Sequence, residues 1–123
     1  MTPQLNTKLN KRFPWLQQII IECDDGWYRL IYKCLKEIEE IYKSKSQDIN
    51  ELKVLQIKEK YAHLRIYIFS YIGSVYDIID KYELLSHSIC EHCGNKGELS
   101  VNYGYYRVLC EKCRNKLGFK ISK

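Results

Sequence analysis

Four cysteines in two identically spaced pairs constrain this chain more than any other feature. Cys90-Glu-His-Cys93 is followed, after sixteen residues, by Cys110-Glu-Lys-Cys113. This is the C-x₂-C…C-x₂-C spacing of a zinc site. Two residues between paired cysteines let a tight knuckle aim both sulfurs at one point, with backbone N–H groups directed at the thiolates. Gly94, just after the first pair, supplies the freedom such a turn needs. Two knuckles complete a tetrahedron and leave no open position. The spacing therefore predicts one structural Zn²⁺ held by Cys90, Cys93, Cys110 and Cys113, with no place for water or substrate. A redox dithiol is the main alternative, but it needs a thioredoxin-like βαβ context that the flanking sequence lacks. Iron–sulfur ligation is a second alternative, less typical of two knuckles around a hairpin. His92, between two ligands, is expected to face solvent, with replacement ligation as its other reading. Cys23 lies far away in sequence and is not expected to be a ligand.

Residues between the knuckles fit this reading. Glu98 to Asn102 and Tyr105 to Leu109 flank Tyr103-Gly104, a turn signal, so a short hairpin is predicted. The stretch after Cys110 can begin a helix whose first turn carries the last two ligands. Knuckle, hairpin and helix in this order make a treble-clef arrangement, with a plain zinc ribbon as the close alternative. So short a module, residues 88–123, cannot bury enough apolar surface alone. Metal binding of order ~10–16 kcal/mol would supply the missing folding energy.

Residues 1–87 read as a separate core. Thr2-Pro3 is an N-cap followed by proline at the first helical position, so a short helix to about Lys11 is expected, ended by Pro14. Ile19, Ile20 and Ile21 read as a short buried extended piece. The best helix runs from about Gly26 to Lys43, where Trp27, Leu30, Ile31, Cys34, Leu35, Ile38, Ile41 and Tyr42 keep helical spacing. Asp24 or Asp25 can cap it. Cys34 lies on the apolar stripe and is read as a core thiol. After a polar connector, Ser44 to Glu51, the stretch Leu52 to Phe69 reads as a hairpin turning near Lys60 to His63. Leu55 and Ile57 share one face of its first strand, and Leu64, Ile66 and Ile68 share one face of its second. Arg65, Tyr67 and Phe69 alternate onto the opposite face, which is expected to be partly covered. Gly73-Ser74 then starts a helix to about His87. The fold class is α+β: helices packed on a small antiparallel hairpin sheet, followed by the Cys₄ module.

No segment approaches the roughly 18 apolar residues needed to cross a bilayer. Met1 to Arg12 lacks the apolar stretch of a secretory signal, so a cytosolic location is expected. Six cysteines there argue for metal or reduced thiols rather than disulfides. The net charge is +5, with +1 on residues 1–87 and +4 on residues 88–123. Four zinc-bound thiolates cancel about half of the tail's excess, because the bound site carries a charge of about −2. The basic tail is thus a weaker nucleic-acid signal than it first looks.

Three ordered blocks carry a resemblance: Cys23-Asp-Asp-Gly-Trp-Tyr-Arg-Leu-Ile31, then Leu55-Gln-Ile-Lys-Glu-Lys-Tyr61 with Leu64-Arg-Ile-Tyr67, then Cys90-Glu-His-Cys-Gly94. They resemble a family of small, mostly uncharacterised bacterial and phage proteins with a "GDGW" helix start, a "VKEKFGGLRFY" hairpin and a terminal knuckle pair. The chain departs from that pattern at Ala62-His63, where the family has two glycines, so the hairpin turn is expected to differ. Some members end with His-type ligands, whereas Cys113 restores a full Cys₄ set here. The resemblance implies a phage or prophage context. Small phage proteins of this size include inhibitors of host defence, anti-CRISPR proteins among them.

Three function classes can be weighed on the residues. A His-metal nuclease on a treble clef needs histidines on the hairpin and the following helix, and residues 97–123 contain none. His63, His87 and His92 form no set with Asp or Ser, no phosphate loop or nucleophile elbow is present, and Asp77 and Asp80 read as solvated surface. The chain is therefore not expected to be an enzyme. Tyr103, Tyr105, Tyr106 and Arg107 interleave aromatics with charge near the zinc site, and Arg114 and Lys116 add cations. These six residues are the candidate partner surface. Bases can stack on such rings; alternatively, the tyrosines cover the small module core and its junction with the rest. The favoured expectation is a protein binder, because a small closed module without a reaction site presents a rigid surface; the resemblance implies that it inhibits a host defence protein. A CRISPR effector nuclease is the leading target, inhibited by blocking nucleic-acid loading or a conformational step. A zinc-ribbon nucleic-acid-binding or regulatory protein is the alternative.

Overall fold

Thr2 and Pro3 start the first helix, α1 (Pro3–Arg12), in the computed structural model, which describes residues 1–123. Phe13 follows it, and a short 3₁₀ turn, Pro14–Leu16, plugs Trp15 and Leu16 into the core. Strand β1 is only Ile21–Glu22. The extended piece expected over Ile19 to Ile21 is shorter than the run of isoleucines, because Gln17 and Gln18 both take positive φ and turn the chain just before it. Ile20 consequently projects to solvent, and only Ile21 is fully buried.

A second 3₁₀ turn, Asp25–Trp27, leads into α2 (Tyr28–Ser44). Its buried positions, Leu30, Ile31, Cys34, Leu35, Ile38 and Tyr42, form the stripe that the spacing predicts. Then come β2 (Lys53–Lys60), β3 (His63–Phe69) and α3 (Ser74–Leu85). β2 lies between β1, to which it is parallel, and β3, to which it is antiparallel. Ile21, Ile57 and Ile66 make one buried row across the three strands. Each such side chain stabilises the fold by roughly 2 kcal/mol on burial. α3 packs on both α2 and β3, completing one continuous apolar core.

The outer edge of β3 is sealed by α3 and the turn that follows it. Leu64 N–H donates to Ser86 Oγ (3.0 Å), Ile66 N–H to Glu83 Oε2 (2.9 Å) and Ser70 N–H to the Tyr76 hydroxyl (3.0 Å). These side chains take the place of a further strand and blunt an edge that would otherwise recruit one.

Leu55 departs from the expected alternation. A bulge between Val54 and Gln56 shifts the register, so Val54 and Ile57 face the core while Leu55 is 68% exposed. An extra residue in one strand of a pair does this by leaving itself unpaired. Tyr67 and Phe69, on the face expected to be partly covered, remain 40% and 45% exposed.

The rest of the chain forms a second three-stranded sheet. β4 (Glu98–Asn102) and β5 (Tyr105–Leu109) are the hairpin read from the sequence, and α4 (Glu111–Leu117) follows Cys110. β6 (Lys120–Ile121) returns to pair with β4, giving the order β5-β4-β6. The apolar cluster of this unit is small, Cys90, Leu109 and Cys113 with Cys110, Leu117 and Phe119 packed around it, and Ser100 and Val108 are buried beside it in the sheet.

Candidate metal centre

Local backbone geometry brings the four cysteines together. Gly94 N–H donates to Cys90 O (2.8 Å), closing the first knuckle, and Gly94 sits at φ +87°, where a side chain would be strained. Cys110 is the N-cap of α4, and Cys113 lies in that helix's first turn. Cys113 N–H points at Cys110 Sγ (3.5 Å). All four sulfurs lie within 4.8 Å of one another, and Cys93 Sγ to Cys110 Sγ is 3.6 Å. A tetrahedron with metal–sulfur bonds of about 2.3 Å has edges of about 3.8 Å, so the donor set fits one metal ion. A disulfide needs about 2.05 Å and is not what the sulfurs form. The Cys113 N–H draws the Cys110 thiol down to about 7, whereas burial pushes the Cys93 and Cys113 thiols up.

Residues other than the four cysteines fasten the centre to the core. Gly26 N–H donates to Glu91 O at 2.7 Å. A Cβ on Gly26 would lie 2.2 Å from Cys90 O and 2.4 Å from Glu91 O, so only glycine allows this approach. Trp27, fully buried, donates its indole N–H to Ile89 O (2.9 Å). Glu91, between the first two ligands, is itself buried. Its Oε2 accepts from Asp24 N–H (2.9 Å), and its Oε1 accepts from Arg107 Nε (3.1 Å). Arg107 reaches across to Asp24 Oδ2 as well (3.1 Å). The pair is well desolvated, with Arg107 and Glu91 side chains 13% and 6% exposed. Burial opposes ionisation of Asp24, but hydrogen bonds from His92, Asp25 N–H and Arg107 outweigh it and hold the carboxyl below its usual range.

Two site residues differ from expectation. His92 does not simply face solvent: its Nδ1 lies 2.9 Å from Asp24 Oδ2, and it is not among the converging ligands. Arg107, grouped with the candidate partner surface, is turned inward onto Glu91 and Asp24. The other members are outward. Tyr103 is fully exposed at the hairpin turn, Tyr105 and Tyr106 are about half exposed, and Lys116 is exposed. Arg114 lies between, donating Nη1 to Leu109 O (3.0 Å). Cys23 and Cys34 are core thiols outside the cluster, and burial pushes each up to about 12.

The seating of Glu91 against Gly26, and the reach of Asp24 beyond its capping role to Arg107 and His92, are what sequence reasoning did not assign. The Asp-Asp-Gly-Trp block was visible as a motif, but its task of receiving a knuckle sixty-odd residues later in the chain was not. Comparison with family models, curated proteins and solved structures finds no match to this chain. No helix is long and apolar enough to cross a membrane.

Proposed function

We propose that the four cysteines hold one structural zinc ion, in a treble-clef module, and that the protein acts by binding rather than by catalysis. An all-sulfur set at two knuckles suits zinc, and four protein ligands leave it no position for a reacting molecule. The observation that carries the binding reading is the lock between the module and the core. Gly26, Glu91, Arg107 and Asp24 make one rigid body of two small units, and a rigid surface loses little on association. Tyr103 stands exposed at the β4–β5 turn, and Tyr105 and Tyr106, adjacent in β5, are exposed on opposite faces of that strand. Exposed aromatics of this kind serve as anchors at protein interfaces.

The partner we favour, on the resemblance to small phage proteins, is a host defence protein inside the bacterial cell. Among these a CRISPR effector nuclease leads, inhibited by blocking its loading with nucleic acid. The test is target cleavage by a purified effector mixed with the metal-loaded protein before or after guide RNA. Inhibition on prior mixing only, together with a stoichiometric complex that Tyr103→Ala and Tyr106→Ala weaken, is the expected result. Unchanged cleavage and no complex in either order would reject this target.

A further inference from the structure

The outer face of the first sheet is a surface the metal centre does not use. Phe69 pairs across the ladder with Lys53, Tyr67 with Gln56 and Arg65 with Lys58, so all six side chains share that face. Tyr67 and Phe69 are two positions apart on one strand, about 7 Å along it. Tyr71, just beyond the strand, stands at 84° to Phe69 with ring centroids 4.9 Å apart and is itself largely exposed. A contiguous aromatic patch left open on a sheet face calls for an occupant.

The charge around these rings says which kind. Lys53, Lys58 and Lys60 have no carboxylate within ion-pair distance, whereas Arg65 is neutralised by Glu83 (3.5 Å). The only acidic group of β1 and β2 on this face is Glu22, opposite Lys58, and it accepts a hydrogen bond from Gln56 (3.0 Å). Lys53 stands opposite Phe69, and Lys58 and Lys60 continue the same face away from the rings, opposite Arg65 and His63. A line of unpaired cations leading from exposed rings matches a polyanion whose own flat groups are free to stack. The neighbouring β3 edge is sealed by Ser86, Glu83 and Tyr76, so an added protein strand is not what this side of the sheet accommodates.

We propose that this face binds single-stranded nucleic acid: two or three bases stack on Tyr67, Phe69 and Tyr71 while Lys53, Lys58 and Lys60 follow the phosphates. A duplex hides its base faces and fits this platform poorly. The inference is independent of the protein-partner reading above, which uses the opposite module.

Fluorescence anisotropy of the full metal-loaded chain with labelled oligothymidylate and oligouridylate tests it. Binding should be detectable at low salt and fall as salt rises. Tyr67→Ala or Phe69→Ala should each weaken it about 10-fold, and Lys53→Gln or Lys58→Gln should each flatten the salt slope by about 0.7. These side chains are on the open face, so melting temperature and metal content should stay at their wild-type values, and the variants report binding alone. Absence of binding at low salt to both oligomers would overturn the proposal. So would equal affinity for a duplex, or affinity that ignores Tyr67 and Phe69 but falls with Tyr103→Ala and Lys116→Gln.

Discussion

The main-chain N–H of Gly26 meets the carbonyl oxygen of Glu91 at 2.7 Å, and this contact joins the helical core to the first metal knuckle. Any side chain at position 26 must displace backbone, because Cys90 O and Glu91 C and O all lie within 2.4 Å of where a Cβ would sit. Gly26→Ala should therefore cost about 3 kcal/mol, the upper range for overpacking, and lower the melting temperature while the chain still binds metal. A variant as stable as wild type in chemical denaturation would show that the knuckle is not seated against Gly26.

Arg107 is the one cation between Glu91 and Asp24. Replacing it with an apolar isostere leaves a buried Glu91 carboxylate without its partner, so Arg107→Met should cost roughly 3 kcal/mol. Adding Glu91→Gln removes the stranded charge, and the double variant should be little worse than Arg107→Met alone. Strictly additive losses in urea titrations of the two single variants and the double would mean that the residues do not work as a pair.

The thiols separate into two groups by environment. Cys23 and Cys34 are in the apolar core, and Cys90, Cys93, Cys110 and Cys113 converge on one point. Alkylation of the native, metal-loaded chain should modify neither group. A chelator should open the four knuckle cysteines to reagent while Cys23 and Cys34 react only in denaturant. Cys90→Ser or Cys110→Ser should lose the metal and the order of residues 88–123, as read by elemental analysis and hydrogen exchange. A serine variant that kept one equivalent of metal and full thermal stability would show that the ligand set differs.

Much of this architecture was legible in the sequence because it is written in local spacing. The ligand spacing names the four cysteines outright, and the β4 and β5 boundaries follow from a turn signal between two short runs. The α2 stripe follows from its period. What was not legible depends on long-range partners. Nothing local marks Glu91 as buried, since a glutamate inside a knuckle usually faces water and is internal here only because Arg107 and Asp24 N–H receive it. Leu55 broke the alternation because a bulge is fixed by the partner strand. β6 was missed because two residues carry no periodicity, and its pairing with Ser100 and Val101 exists only after α4 has turned the chain back.

Tyr61 and Ala62 form the two-residue turn between β2 and β3, and both have positive φ, +49° and +73°. That is the type I′ geometry, which asparagine and glycine adopt readily and a tyrosine adopts at a cost. Tyr61 is 83% exposed, and the contact at stake is Lys60 Nζ, 5.8 Å from its ring centroid. Tyr61→Asn should therefore raise stability by about 0.5–1 kcal/mol without altering metal content. A lower melting temperature would mean that the ring makes a contact in the folded protein worth more than the relieved backbone.

Glu37 gives a pH signature away from the metal. Hydrogen bonds from Tyr82 and Lys81 hold its carboxyl below its usual value. The folded chain therefore binds this proton less readily than the unfolded chain. The contribution is fully present above the ordinary glutamate range and is lost as pH falls through the depressed folded value. Glu37→Gln should thus be less stable than wild type at neutral pH, and the difference should shrink as pH drops below about 4. Glu37 is about one-third exposed, so solvent screening keeps the neutral-pH difference under about 1 kcal/mol. Parallel urea titrations of the two chains cancel the other carboxylates and any acid release of metal, which both chains share. A gap that stayed constant from neutral to acid pH would assign the loss to packing of the side chain rather than to its charge.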